Sequence, residues 1–310
     1  MKKNILFVVL INFSFLFAHN LSFSIQPFFS YNNDYLSYSI YEDDDDSRLN
    51  SRLDWCTSYL FKAGLETKIE YSNWILGLSS AAALPLKCGI MYDSDWFTEG
   101  IKTDFQEDIL TAGFCYDLQF ELKYRFRWQN QFSIFPIFAY NYSYSSFKGD
   151  YLSCWTGRAV YTGLTDDYPW NSDYAVKVER FGIDLDNNIS VFFLGTGFEK
   201  IFNRCQLNLD IYLSPFIFIS SIDHHLNDSG GRYYLLEQKA FFPSMRINFS
   251  CAYRINEKNK IILSPDLCMC RKIMGVFYSG KVRNEDMLSD QACSFRFYKF
   301  SFNLGWEIEL

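Results

Sequence analysis

Residues 113–128 read GFCYDLQFELKYRFRW. The even positions are Phe114, Tyr116, Leu118, Phe120, Leu122, Tyr124, Phe126 and Trp128. The odd positions are Cys115, Asp117, Gln119, Glu121, Lys123, Arg125 and Arg127. An extended chain sends successive side chains to opposite faces, so one face is uniformly large and apolar and the other carries both signs of charge. A soluble sandwich has no room for eight such apolar residues on one strand face. Lipid does, and a polar lumen suits the other face, which is the pattern of a membrane β-barrel.

The last residues repeat the pattern. Phe300, Phe302, Leu304, Trp306, Ile308 and Leu310 alternate with Lys299, Ser301, Asn303, Gly305, Glu307 and Glu309. Such a final strand is suited to close a ring against the first. Alternating runs predict strands near 21–41, 52–67, 72–84, 109–128, 131–147, 174–200, 204–222, 236–255, 259–280 and 293–310. Ten is an even number, as up-and-down barrels require. Short polar turns such as Gln129–Gln131 and Glu257–Asn259 alternate with longer polar stretches at 42–51, 85–108, 148–173, 223–235 and 281–292. The expectation is an all-β, ten-stranded antiparallel transmembrane barrel with five long extracellular loops. A 20-residue strand at 45° tilt rises roughly 45 Å, against the ~25 Å apolar band of such barrels, so a rim should stand above the lipid.

Composition agrees. Aromatic residues make up 20% of the 310-residue chain, with 32 Phe and 22 Tyr, yet no apolar run after the N-terminus is long enough for a membrane helix. The opening MKKNILFVVLINFSFLFAHN has a basic start at Lys2 and Lys3, an apolar segment at 5–17 and Ala18 before a cleavage point. It reads as a signal peptide over 1–18, leaving one domain over 19–310. Loss of the two lysines takes the formal charge from -7 to -9, which argues against nucleic acid as a partner. The nine cysteines include no CxxC pair and no spacing with histidine that suits a metal, so they read as small apolar residues, with no metal or other cofactor implied.

Two short motifs fall on the rim. MYDSDWF, residues 91–97, carries Asp93 and Asp95. SSIDHH, residues 220–225, carries Asp223 and His225 in a chain with only three histidines. Residues two apart on an extended chain point the same way, so each pair can face one spot. A histidine is the natural general base near neutral pH, a neighbouring carboxylate steadies its tautomer and its cation, and an opposing acid pair can hold water. Strict alternation raises a difficulty. In 204–222 the apolar phase is odd, at Cys205, Leu207, Leu209, Ile211 and Leu213, and Asp223 and His225 are odd too. A bulge must turn the chain, with Pro215 or the Ser220–Ser221 pair as the place for it.

The arrangement resembles the omptin family, ten-stranded outer-membrane endopeptidases of Gram-negative bacteria. The resemblance rests on LSFS at 21–24, SRLDW at 51–55, D-x-DW at 93–96 and SS-x-D-x-H at 220–225. It implies hydrolysis of extracellular peptides or proteins, an Asp223–His225 dyad that activates water, and an Asp93–Asp95 pair across a crevice that faces the outside of the cell. His224 then falls on a spacer. It also implies a specificity pocket for basic side chains built with two acids. One maps to Glu42, as a substrate-binding residue, and the other position carries Ser221, which weakens that preference. A family position for lipopolysaccharide falls on Tyr144, which leaves that dependence open. The protein is expected to be a monomer in outer-membrane lipid. On the residues alone, a non-enzymatic barrel serving as an adhesin or binding surface, and a small pore, remain alternatives.

Overall fold

A computed structural model describes residues 21–42, 48–128, 131–226, 231–280 and 288–310. The predicted signal peptide lies outside the described residues. The described residues form fourteen strands: β1 Leu21–Tyr41, β2 Leu49–Tyr71, β3 Trp74–Ala83, β4 Lys87–Asp95, β5 Asp104–Tyr124, β6 Phe126–Arg127, β7 Phe132–Thr156, β8 Val176–Lys177, β9 Ile183–Phe202, β10 Cys205–His225, β11 Arg232–Ala240, β12 Ser244–Arg254, β13 Asn259–Gly280 and β14 Leu288–Glu309. One short helix, α1 Ala159–Thr162, follows β7. All pairings are antiparallel, and β1 pairs with β14 from Ser24↔Glu309 to Ile40↔Cys293, so the sheet closes on itself as a barrel. Closure gives each long strand of the ring a hydrogen-bonded neighbour on both sides, which a chain in lipid requires.

The count of fourteen replaces the expected ten, and the reason is local. β3 and β4 share the neighbours β2 and β5 and are separated by Leu84-Pro85-Leu86. β11 and β12 share β10 and β13 and are separated by Phe241-Phe242-Pro243. Each proline cannot donate to a ladder and sits where a strand breaks. β6 and β8 have two residues each. The polar stretches between strands are also shorter than expected. β4 lies within the expected loop 85–108, β7 runs to Thr156, and β10 and β11 take up much of 223–235.

The phase problem in β10 resolves at a bulge. Pairing with β9 shifts register between Leu213 and Phe216. Below it, Asp210, Tyr212 and Ser214 face inwards; above it, Ile217, Ile219, Ser221 and Asp223 do. Pro215 lies inside the shift, so the expected rotation occurs there and not at Ser220–Ser221. β5 flips in the same way between Ala112 and Cys115. Its upper inward row is Asp104, Gln106, Asp108, Leu110 and Ala112, whereas its lower inward row starts at Cys115.

Two regions fill the interior. The lower half holds a cavity of about 760 Å³ lined by charged residues, including Lys62, Glu121, Lys123, Asp210, Arg246 and Asp266. Most are paired, as in Lys123 with Asp210 at 2.9 Å and Arg246 with Asp266 at 2.7 Å. Above it, Trp55, Leu60, Met91, Phe193, Ile217 and Phe295 are almost fully buried in an apolar plug. Outside, Leu118, Leu213, Phe249, Phe300 and Leu304 are exposed, which is the lipid-facing band expected from the alternation. Among the described residues no helix is long and apolar enough to cross a membrane. All nine cysteines are free thiols.

Candidate active site

Above the plug, β4 is clamped between β2 and β5. Asp93 lies opposite Leu53 and Gln106, and Asp95 opposite Ser51 and Asp104. Period-2 geometry turns both carboxylates into the barrel mouth, where Asp93 is 4% exposed. The Ser51 hydroxyl donates to Asp93 Oδ1 at 3.5 Å. Burial, and after it the neighbouring Asp95, pushes the Asp93 carboxyl well above the usual carboxylate range. Asp95 is raised too, by burial first, while the Ser51 hydroxyl pulls the other way and Asp104 adds to the rise. Two like charges this close resist ionising together.

On β10, Asp223 is buried and lies opposite Leu185 of β9 and Tyr234 of β11. His225 Nε2 is 3.0 Å from Asp223 Oδ2. The imidazole keeps about a third of its side chain exposed, at 33%. Tyr234 meets it edge-on, with ring centres 4.8 Å apart, and Tyr234 stacks in turn on Phe277 at 5.5 Å. Burial works against the imidazolium, but Asp223 outweighs it by charge and hydrogen bond, and Asp93 and Asp95 add to the pull. The net result raises His225 from 6.5 to about 9. The acid pair therefore lies within electrostatic reach of the dyad, and the four residues picked from the sequence form one group. All four sit on strands and not, as expected, in loops. His224 points away and stacks on Tyr233 at 4.0 Å, as suits a spacer.

Glu42 stands just past the end of β1. Its carboxylate is bound to Arg48 at 2.6 Å, and its N–H donates to the Arg48 carbonyl at 3.0 Å. The structure thus ties it to the start of β2. Ser221, two residues below Asp223, donates to Asn187 Oδ1 at 2.8 Å and takes the Tyr38 hydroxyl at 2.8 Å. That chain of neutral groups joins β1, β10 and β9 beneath the dyad.

Sequence reasoning missed the top of β5. Asp104, Gln106 and Asp108 form an inward row that binds the segment entering β9. Asp104 Oδ2 accepts from Arg180 Nη2 at 2.9 Å, Gln106 Nε2 donates to the Phe181 carbonyl at 2.9 Å, and Asp108 Oδ2 accepts from the Ile183 N–H at 2.8 Å. Burial raises Asp108 to about 6, against the pull of its Gln106 and Ile183 hydrogen bonds. The spacing of TDFQED at 103–108 was the available signal.

The family model described as the Omptin family matches residues 33–265. The chain belongs to the omptin family. Its fold is also similar to that of a solved structure, the outer membrane protease OmpT from Escherichia coli, with a TM-score of 0.80, 14% identity, and coverage of 93% of this chain and 97% of that one. At that identity the likeness concerns the fold alone. The translocator domain of the autotransporter NalP from Neisseria meningitidis aligns over 99% of this chain and 95% of its own, at 7% identity and a TM-score of only 0.39. No curated protein sequence matches the chain. Among the described residues of this omptin, no group of three or more His, Cys, Asp or Glu is placed to hold a metal ion.

Proposed function

We propose that this omptin is an outer-membrane endopeptidase that hydrolyses extracellular peptides or flexible protein segments. The observation that carries the proposal is the 3.0 Å contact between His225 and Asp223 within the field of Asp93 and Asp95. Family membership and the barrel fold support the outer membrane as its location. The fourteen strands act as ten staves, with β3–β4 and β11–β12 each one interrupted stave, and the rim faces the outside of the cell. The protein works as a monomer, in outer-membrane lipid.

With Nε2 committed to Asp223, His225 Nδ1 is the nitrogen left to take a proton from water. The water oxygen bonds to the scissile carbonyl carbon, and its proton passes to His225. Asp223 steadies the imidazolium. Collapse of the tetrahedral intermediate breaks the C–N bond, and the imidazolium proton goes to the leaving amine. Asp93 and Asp95 hold the water and share a proton across the cleft. At neutral pH the raised His225 rests largely as imidazolium, so the base form grows as pH rises towards 9.

By the family resemblance Ser221 falls at a position of the specificity pocket, and the buried Tyr38–Ser221–Asn187 chain supplies no acid there, so basic side chains are only weakly favoured. Against the pore alternative, the apolar plug of Trp55, Phe193, Ile217 and Phe295 lies between the lower cavity and the mouth. The test uses purified protein in detergent with a peptide library. Cleavage that vanishes in His225→Ala and Asp93→Ala is expected; equal cleavage by both variants refutes the site.

A further inference from the structure

We infer that Arg180 is a positioning residue for the acid pair, acting through Asp104 rather than on the substrate. The inference rests on the catalytic roles proposed above for His225 and the pair.

Asp104 is the register partner of Asp95 on the adjacent strand, so three carboxylates, Asp93, Asp95 and Asp104, stand on two neighbouring strands. Asp104 is 2% exposed. A buried carboxylate there adds to the repulsion within the pair unless a cation answers it. Arg180 does so, with Nη2 2.9 Å from Asp104 Oδ2, and the Thr156 hydroxyl donates to Oδ1 at 2.5 Å. Arg158 Nη1 stands further off, at 3.9 Å from the same Oδ2. Arg180 itself comes from the segment 178–182 between β8 and β9. That segment is held across the mouth by the Val178 N–H to the Cys154 carbonyl at 3.0 Å and by Gln106 to the Phe181 carbonyl. The bonds place the guanidinium where it serves β4 and β5 together, with 29% of its side chain still exposed.

The Asp93–Asp95 pair is faced by groups from several strands. Asp104 lies on β5, with the Ser51 hydroxyl on β2. His225 and Asp223 come from β10, and Cys154 from β7. Arg180 adds a positive field at both Asp93 and Asp95, and Lys102 stands within electrostatic reach of both as well. Among the described residues Arg180 and Arg158 are the cations paired with Asp104, and Arg180 is the nearer. Its removal leaves a negative neighbour opposite Asp95 without its closest counter-charge.

The rising side of the kcat/KM–pH profile should then have two inflections, the upper from His225 and the lower from the pair. Arg180→Met is expected to move the lower inflection up by about 1 pH unit, and Arg180→Lys to return it close to wild type. Asp104→Asn removes one negative neighbour and is expected to move it down. The double variant Arg180→Met/Asp104→Asn should bring it back towards wild type, because the two charge changes cancel; a purely structural role predicts additive damage. Loss confined to KM with an unmoved inflection would mean that Arg180 binds substrate, and would overturn the inference. If Arg180→Met does not fold, Asp104→Asn carries the test, and an unmoved or raised inflection in it defeats the proposal. Absent wild-type cleavage, or cleavage that survives His225→Ala, overturns the proposed function and this inference with it. Cleavage that needs His225 but ignores the charge at positions 180 and 104 overturns the inference alone.

Discussion

His225 Nε2 and Asp223 Oδ2 stand 3.0 Å apart on one strand face, and the contact holds the imidazole's proton well beyond its ordinary range. Cleavage should therefore climb with pH between 7 and 9, about tenfold per unit, instead of levelling near 6.5. Asp223→Asn should move this inflection below 9 and lower the maximal rate by about 10²- to 10⁴-fold. A kcat/KM–pH series on both proteins checks this, and a wild-type plateau at 6.5 would contradict it. A histidine raised on folding stabilises fully below 6.5, and that contribution fades as pH passes through about 9.

Asp93 works in the opposite sense. Its carboxyl is raised on folding, so ionising it costs stability at every pH above the ordinary carboxylate range. Asp93→Asn should raise the thermal unfolding midpoint in detergent at pH 8 while abolishing cleavage. A lowered midpoint would show that the carboxylate stabilises the fold.

Ser221 offers a gain-of-function test. It sits in a neutral chain between Tyr38 and Asn187. Ser221→Asp places a carboxylate there, and a charge-assisted hydrogen bond is worth about 1.5–3 kcal/mol. Preference for Arg or Lys over an uncharged residue at the cleaved bond should rise by about 10- to 100-fold. Profiling of cleavage sites in a peptide library reads this directly, and an unchanged profile would place the pocket elsewhere.

Pro215 tests the strand geometry. The register shift between Leu213 and Phe216 turns the upper part of β10 so that odd residues face in. Deleting Pro215 removes one residue of the bulge and should rotate Asp223 and His225 towards the outer face. The variant should still form a barrel by circular dichroism, yet lose cleavage. Retained cleavage would show that the strand restores its phase by another route.

Much of this was readable from the chain. The alternation in 113–128 and 299–310 revealed the barrel, because lipid and lumen impose opposite chemistry on successive residues. The two D-x-[DH] pairs were visible because two-residue spacing survives on any extended chain. The fourteen-strand count was not readable. The interruptions at Pro85 and Pro243 looked like loop and strand continuation respectively, since proline marks both a break and a turn. The strands of the rim were hidden for a related reason. Bulges at Gly113–Phe114 and Ser214–Pro215 invert the phase, and above them both faces meet water, so polar residues no longer mark the inner one. Arg180 left no local trace, because its partner Asp104 is 76 residues away in the chain.

The β1–β14 seam has a consequence for biogenesis. Ser24 must find Glu309, so the ring can be sealed only after almost the entire polypeptide has emerged. Contacts of such separation form slowly. Until then two raw borders invite the wrong neighbours, and an assembly factor able to cap one of them would decide how much of this protein survives to maturity.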